Sequence, residues 1–144
     1  MKLSIWHMVS IWLMMLLVAY QEPDKIVQIE FTTMSRGGHR EYVKIEPNCV
    51  TIEVVKMRGT ESDVRKKSLT INQWQRIINT LDNVALTDIP NMESPTMKRA
   101  FDGAFHSELT ITTMNEQNYR HHFDDLDPHE SLSKLMKLVK VHKK

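Results

Sequence analysis

The sequence predicts an α+β fold: an antiparallel sheet of about five strands with two helices packed on one face, in the order β-β-β-α-β-β-α, behind an N-terminal hydrophobic segment. Apolar residues alternate with period two in five places, two capping patterns each open an amphipathic run, and a Gly-Gly reversal sits between the first two alternating stretches. Residues 25–144 are expected to form a single domain.

From Lys25 to Met34, residues Val27, Ile29, Phe31 and Thr33 share one face, as a half-buried strand requires. Ser35-Arg36-Gly37-Gly38 supplies residues that tolerate positive φ, and His39 to Glu46 resumes an extended pattern with Val43 and Ile45 together. Pro47-Asn48 marks a second turn before Val50, Ile52 and Val54, a third strand that fades at Arg58-Gly59-Thr60. Glu61 to Lys67 is a charged stretch that reads as a solvated connection or a strand extension.

Thr70 followed by Gln73 makes a capping box, with Leu69 and Trp74 spaced as a hydrophobic staple. Trp74, Ile77, Ile78 and Leu81 then recur on one helical face, which assigns Trp74 to the core. Asn83 to Asp102, with Pro90 and Pro95, reads as a long loop with at most one short turn around Thr96 to Phe101; such loops often carry function. A fourth strand over Ala104 to Met114 places Phe105, Leu109 and Ile111 on one face, and Asn115 to Asn118 turns into a fifth over Tyr119 to Asp124. In Asp127-Pro128-His129-Glu130, Asp127 is expected to cap a helix that Pro128 begins and Glu130 completes as a box. Leu132, Leu135, Met136 and Val139 form the apolar face of that helix, and its lysine-rich end complements the helix dipole.

Met8 to Ala19 is an uncharged, mostly apolar run behind Lys2, the layout of a signal peptide over residues 1–20. It falls short of the about 20 residues that a membrane span needs. Cleavage after Ala19 places Leu17 at the −3 position and cleavage after Tyr20 places an aromatic at −1, so a retained anchor over residues 3–20 stays open as the alternative. The expected location is extracytoplasmic: periplasm, cell envelope or secreted.

Setting aside Lys2, the remaining chain carries 18 basic and 18 acidic side chains, so no bulk charge favours nucleic acid. Contact with a membrane is expected only through the N-terminal segment. The single cysteine, Cys49, has no partner for an internal disulfide and reads as a small strand residue. Nucleophile elbows, paired metal-binding histidines on a helix, phosphate loops and dinucleotide-type glycine patterns do not occur, which disfavours an enzyme; no catalytic residue and no cofactor is assigned. The densest set of possible metal ligands is His121, His122, Asp124, Asp125, Asp127 and His129. On a strand, His121 and His122 point to opposite faces, leaving His122 and Asp124 as the pair that could converge on a metal. Candidate partner contacts are Arg36, His39 and Arg40 around the first hairpin, with Arg99 in the long loop.

At the Ser35-Arg36-Gly37-Gly38 turn, the helix from Thr70, the Asp102-Gly103-Ala104 strand entry and the Phe123-Asp124 to Pro128 run, the chain resembles uncharacterised small exported proteins of Bacteroidota-type bacteria. That resemblance covers about residues 25 to 142 and implies an envelope or secreted location. The glycine hairpin and the acidic-Pro approach to a closing helix are also similar in outline to emfourin-type inhibitors of thermolysin-like metalloproteases. The chain departs from them in its charged connection at Glu61 to Lys67 and its Pro-containing loop, so no inhibitory residue is carried over. These readings converge on a non-enzymatic extracytoplasmic module that binds a protein through the open sheet face or the Asn83–Asp102 loop. An inhibitor of a secreted metalloprotease is the alternative, and a metal-dependent enzyme centred on His122 and Asp124 the third.

Overall fold

The structure is a computed structural model that describes residues 25–56, 62–101 and 103–143, without the side chains of Arg99 and Phe101. The N-terminal segment over residues 1–20, the Arg58-Gly59-Thr60 strand end and Asp102 lie outside the described residues. An antiparallel sheet of six strands is covered by helices on one face, so the α+β expectation holds with one more strand than predicted. The strands are β1 (Ile26–Met34), β2 (Arg40–Glu46), β3 (Cys49–Val55), β4 (Ser62–Ser68), β5 (His106–Thr113) and β6 (Asn118–Asp124), in spatial order β4-β3-β2-β1-β5-β6.

The first four strands form a meander, and the chain then returns to lay β5 on the free side of β1. At the β1–β2 hairpin, the Ser35 carbonyl accepts from Gly38 N–H at 3.1 Å and Ser35 N–H donates to the His39 carbonyl at 2.9 Å. Gly38 sits at φ 82°, the left-handed position that a glycine occupies without strain. Register puts Phe31 beside Val43 and Leu109, and Ile29 beside Ile45 and Ile111, all on the covered face. Phe31 also stacks on Phe123 of β6, with ring centroids 6.2 Å apart.

The extra strand is β4, where the sequence pattern suggested a charged connection, either a solvated loop or a strand extension. All seven of its side chains are exposed. Burial therefore imposed no apolar alternation, and β4 is held by backbone pairing to β3, with Arg65 opposite Ile52 and Lys67 opposite Val50. Asp63, Arg65 and Lys67 lie on the helix side of the sheet, yet stay exposed because the helical layer ends short of them.

Helix α1 (Ile71–Ile78) starts as predicted. Gln73 N–H donates to Thr70 Oγ1 at 3.3 Å, and Thr70 N–H donates to Gln73 Oε1 at 2.9 Å. Trp74 and Ile77 are buried, and a 3₁₀ turn carries Leu81 into the same core. The stretch read as a long loop contains a 3₁₀ helix, Leu86–Asn91, and the single turn α2 (Lys98–Phe101). Ile89 is fully buried and Leu86 packs against the same core, so part of this segment belongs to the core; two apolar residues in so short a helix are too few to establish a period.

The closing helix also departs from expectation. Asp127 is not its cap: a 3₁₀ turn begins at Glu130, with His129 Nδ1 accepting from Ser131 N–H at 3.4 Å, and α3 (Ser133–Lys143) follows. Asp127 N–H is held by the Asp124 carbonyl, and His129 N–H donates to Nε2 of buried His121 at 3.2 Å. That imidazole takes a backbone donor from the turn that Asp127 would have capped, which moves the boundary to His129. Leu132, Leu135, Met136 and Val139 then enter the core as expected.

Ile77→Ala should destabilise the protein by about 2–5 kcal/mol through lost burial and a cavity, and Thr70→Ala by about 1 kcal/mol through the lost cap. Val64→Ala on exposed β4 should change stability by less than about 0.5 kcal/mol. Urea unfolding of the three variants checks this order.

Candidate functional site

Two surfaces of the sheet remain uncovered by described helices. On the open face, register aligns Val64, Glu53, Tyr42, Thr32, Glu108 and His122 in one row across all six strands, and Lys66, Thr51, Lys44, Glu30, Thr110 and Arg120 in the next. These rows are polar and tied together. The Tyr42 hydroxyl donates to Glu30, Lys44 pairs with Glu46 at 3.1 Å, and Thr110 donates to Glu108 at 3.1 Å. Burial, the Glu30 acceptor and the nearby Glu46 and Glu53 carboxylates push the Tyr42 phenol well above its ordinary value, so it stays a neutral donor. Cys49 is half-buried on this same face, with Sγ 3.9 Å from Thr51 Oγ1.

A groove of ≈ 360 Å³ opens at the end of the helical layer, between the β1–β2 hairpin, the turn after β6 and the last residue of α3. Phe105 and Leu126 form its apolar wall, and Thr33, His39, Glu41, Asp125 and Lys143 supply its polar groups. Glu41 Oε2 pairs with Lys143 Nζ, while Glu41 Oε1 lies 3.7 Å from His39 Nε2, an ion pair whenever the imidazole is protonated. Beneath them, the Ser107 hydroxyl bridges Thr33 Oγ1 at 3.0 Å and the Asp125 carbonyl, and Asp125 Oδ1 accepts from Phe105 N–H at 3.1 Å. The volume suits a small ligand or one side chain of a partner. The charged pair also latches the C-terminal helix to the hairpin.

The hairpin candidates do not act together. Arg36 is exposed in the turn, His39 lines the groove, and Arg40 is exposed on the opposite, open face beside Met34 and Val55. Arg99 falls in α2, and its side chain is outside the description.

His122 and Asp124 share a strand face but engage different partners. His122 is exposed, with Nδ1 3.4 Å from Glu108 Oε2, whereas Asp124 is 1% exposed and accepts from Thr96 Oγ1 at 2.6 Å. Among the described residues, no group of three His, Cys, Asp or Glu side chains is placed to hold a metal ion. His121 points to the core as the alternation requires, 1% exposed and stacked on Phe123 with centroids 5.2 Å apart.

The groove was missed in the sequence because its parts are scattered over more than a hundred positions. Glu41 lies on β2 and its partner Lys143 ends the closing helix, a pairing that only tertiary docking brings about. No known protein family, curated protein or solved structure matches this chain.

Ser107→Ala should cost about 1–3 kcal/mol, because the Asp125 carbonyl loses its hydroxyl donor and the buried Thr33 hydroxyl loses its partner. Glu41→Gln should cost less than about 1 kcal/mol, since both ends of its ion pair reach solvent. Burial and the charge of Lys67 lower the pKa of His142 below the ordinary imidazole value. The unfolded chain therefore binds this proton more readily, and the contribution of His142 is full above about pH 6.5 and declines as pH falls toward the depressed folded value. Urea midpoints at about pH 5 and 7.5 should differ less in His142→Asn than in the parent.

Proposed function

We propose that the chain is a non-enzymatic, extracytoplasmic interaction module that contacts a protein partner through the part of its sheet lying outside the helical layer. The carrying observation is one-sided coverage: α1, the 3₁₀ turns and α3 bury one face, and of the two polar rows that cross all six strands on the other face only Thr110 is buried among the described residues. An antiparallel sheet tolerates such exposure when the open side is polar, and this one is built of threonines and interleaved opposite charges. That composition favours a polar, charge-matched protein surface over a membrane or an apolar ligand.

The segment Met8 to Ala19 supports an extracytoplasmic setting through its signal-peptide layout. The segment Leu86 to Thr96 is a weaker contact surface than the open face, because Ile89 and Thr96 are already committed to the core and to Asp124.

Affinity capture of the tagged protein from its native cell envelope, with the intact mass of the recovered chain read in the same experiment, tests this. The expected result is a chain shortened near residue 20 and a reproducible protein partner that is lost on the open-face reversal Lys44→Glu with Arg120→Glu. Turnover of a substrate that disappears when a titratable residue around His122 or in the 83–102 segment is replaced would overturn it.

A further inference from the structure

The two edges of the sheet are treated differently. Along β6, the chain passes from Ile89, buried on the helix side, to Thr96, which bonds Asp124 on the other side, and so wraps round the end of that edge strand. At the opposite edge, β3 is the only strand paired to β4 among the described residues, and none of those residues repeats that wrapping. An exposed edge of seven residues spans about 23 Å, and every second residue turns its N–H and C=O outward. Proteins usually shorten, bend or cover such edges.

We propose that β4 accepts an acidic extended segment of a partner protein as a seventh strand. This rests on the reading of the chain as an interaction module and names the class of partner. The charge of the edge selects the occupant. Arg65, Lys66 and Lys67 outnumber the single acid, Asp63, whose Oδ2 lies 3.4 Å from Arg65 Nε. Arg65 and Lys67 stand on the helix side and Lys66 stands with Val64 on the open side, so carboxylates on an added strand meet a cation on either face.

A second copy of this chain fits less well. Each β4 carries three cations and one acid, so two copies meet with net repulsion: antiparallel pairing about Arg65 sets two guanidinium groups against each other even though Lys67 then faces Asp63, and lysine on an edge is a common device against self-pairing. An acidic strand converts the same charges from repulsion to attraction. Backbone pairing then supplies affinity while the charges set partner choice.

The direct test uses the full chain as recovered from its native envelope and a fluorescein-labelled acidic probe, Glu-Val-Glu-Thr-Glu-Val-Glu. Controls are the same peptide with Lys replacing Glu and the acidic peptide N-methylated at every backbone amide, which leaves neither edge able to pair. Anisotropy titration should show saturable binding of the acidic peptide that weakens with salt, with no binding of either control. Arg65→Glu with Lys67→Glu should weaken binding at least about tenfold while leaving the amide spectrum of the rest of the protein unchanged, because both side chains are exposed. The proposal is overturned if the acidic peptide does not bind, if the N-methylated peptide binds as well as its parent, or if the double variant retains full affinity. A native partner still captured by the Arg65/Lys67 variant would sink this inference and leave the wider reading standing, whereas the wider reading fails on capture of no partner by the parent chain.

Discussion

Everything in this fold depends on β1 being paired on both sides while only one of its faces is buried. Ile29 and Phe31 face the helices, flanked by Val43 and Ile45 of β2 and by Leu109 and Ile111 of β5. The β1–β5 pairing joins residues about 80 apart in sequence, so the loop entropy of that closure must be offset by the core it completes. Phe123 on β6 extends the same apolar layer by stacking on Phe31, and His121 stacks on Phe123 in turn. Through its Nε2, His121 then sets where the closing helix begins.

One-sided burial accounts for the remaining surface. Side chains opposite the core are free of packing demands and become threonines and paired charges, as the Tyr42–Glu30 and Lys44–Glu46 contacts illustrate. The helical layer is narrower than the sheet, which leaves the inner side of β4 exposed. At the hairpin end, the same shortfall opens the groove walled by Phe105 and Leu126, and the Glu41–Lys143 pair closes part of the gap with charge. The fold thus leaves the polar face through one-sided burial, and the inner side of β4 and the groove through the narrower helical layer.

Most of the sheet was legible in the sequence because burial writes itself as period two: β1, β2, β3, β5 and β6 all carry buried residues at alternate positions. The Thr70–Gln73 box was legible because capping is local chemistry. β4 was not, since a strand with no buried side chain carries no pattern, and its charges read equally as a loop. Asp127-Pro128 misled for a different reason. The motif was sound locally, but a buried imidazole eight residues away from His129 captured its N–H and shifted the cap. Of the candidate site, His39 and the separation of His121 from His122 could be read in advance. The convergence of Glu41, Asp125 and Lys143 could not, because it depends on tertiary docking of the last helix.

Native-state amide hydrogen exchange, resolved residue by residue, addresses the central claim most directly, since it reports which strands are enclosed and which edge is open. The account predicts the slowest exchange in β1 and β5, followed by β2, with protected and rapidly exchanging amides alternating along β4. Uniform protection of β4 to the level of β3, or exchange of β1 and β5 ahead of the outer strands, would contradict a sheet organised about β1 with an open β4 edge.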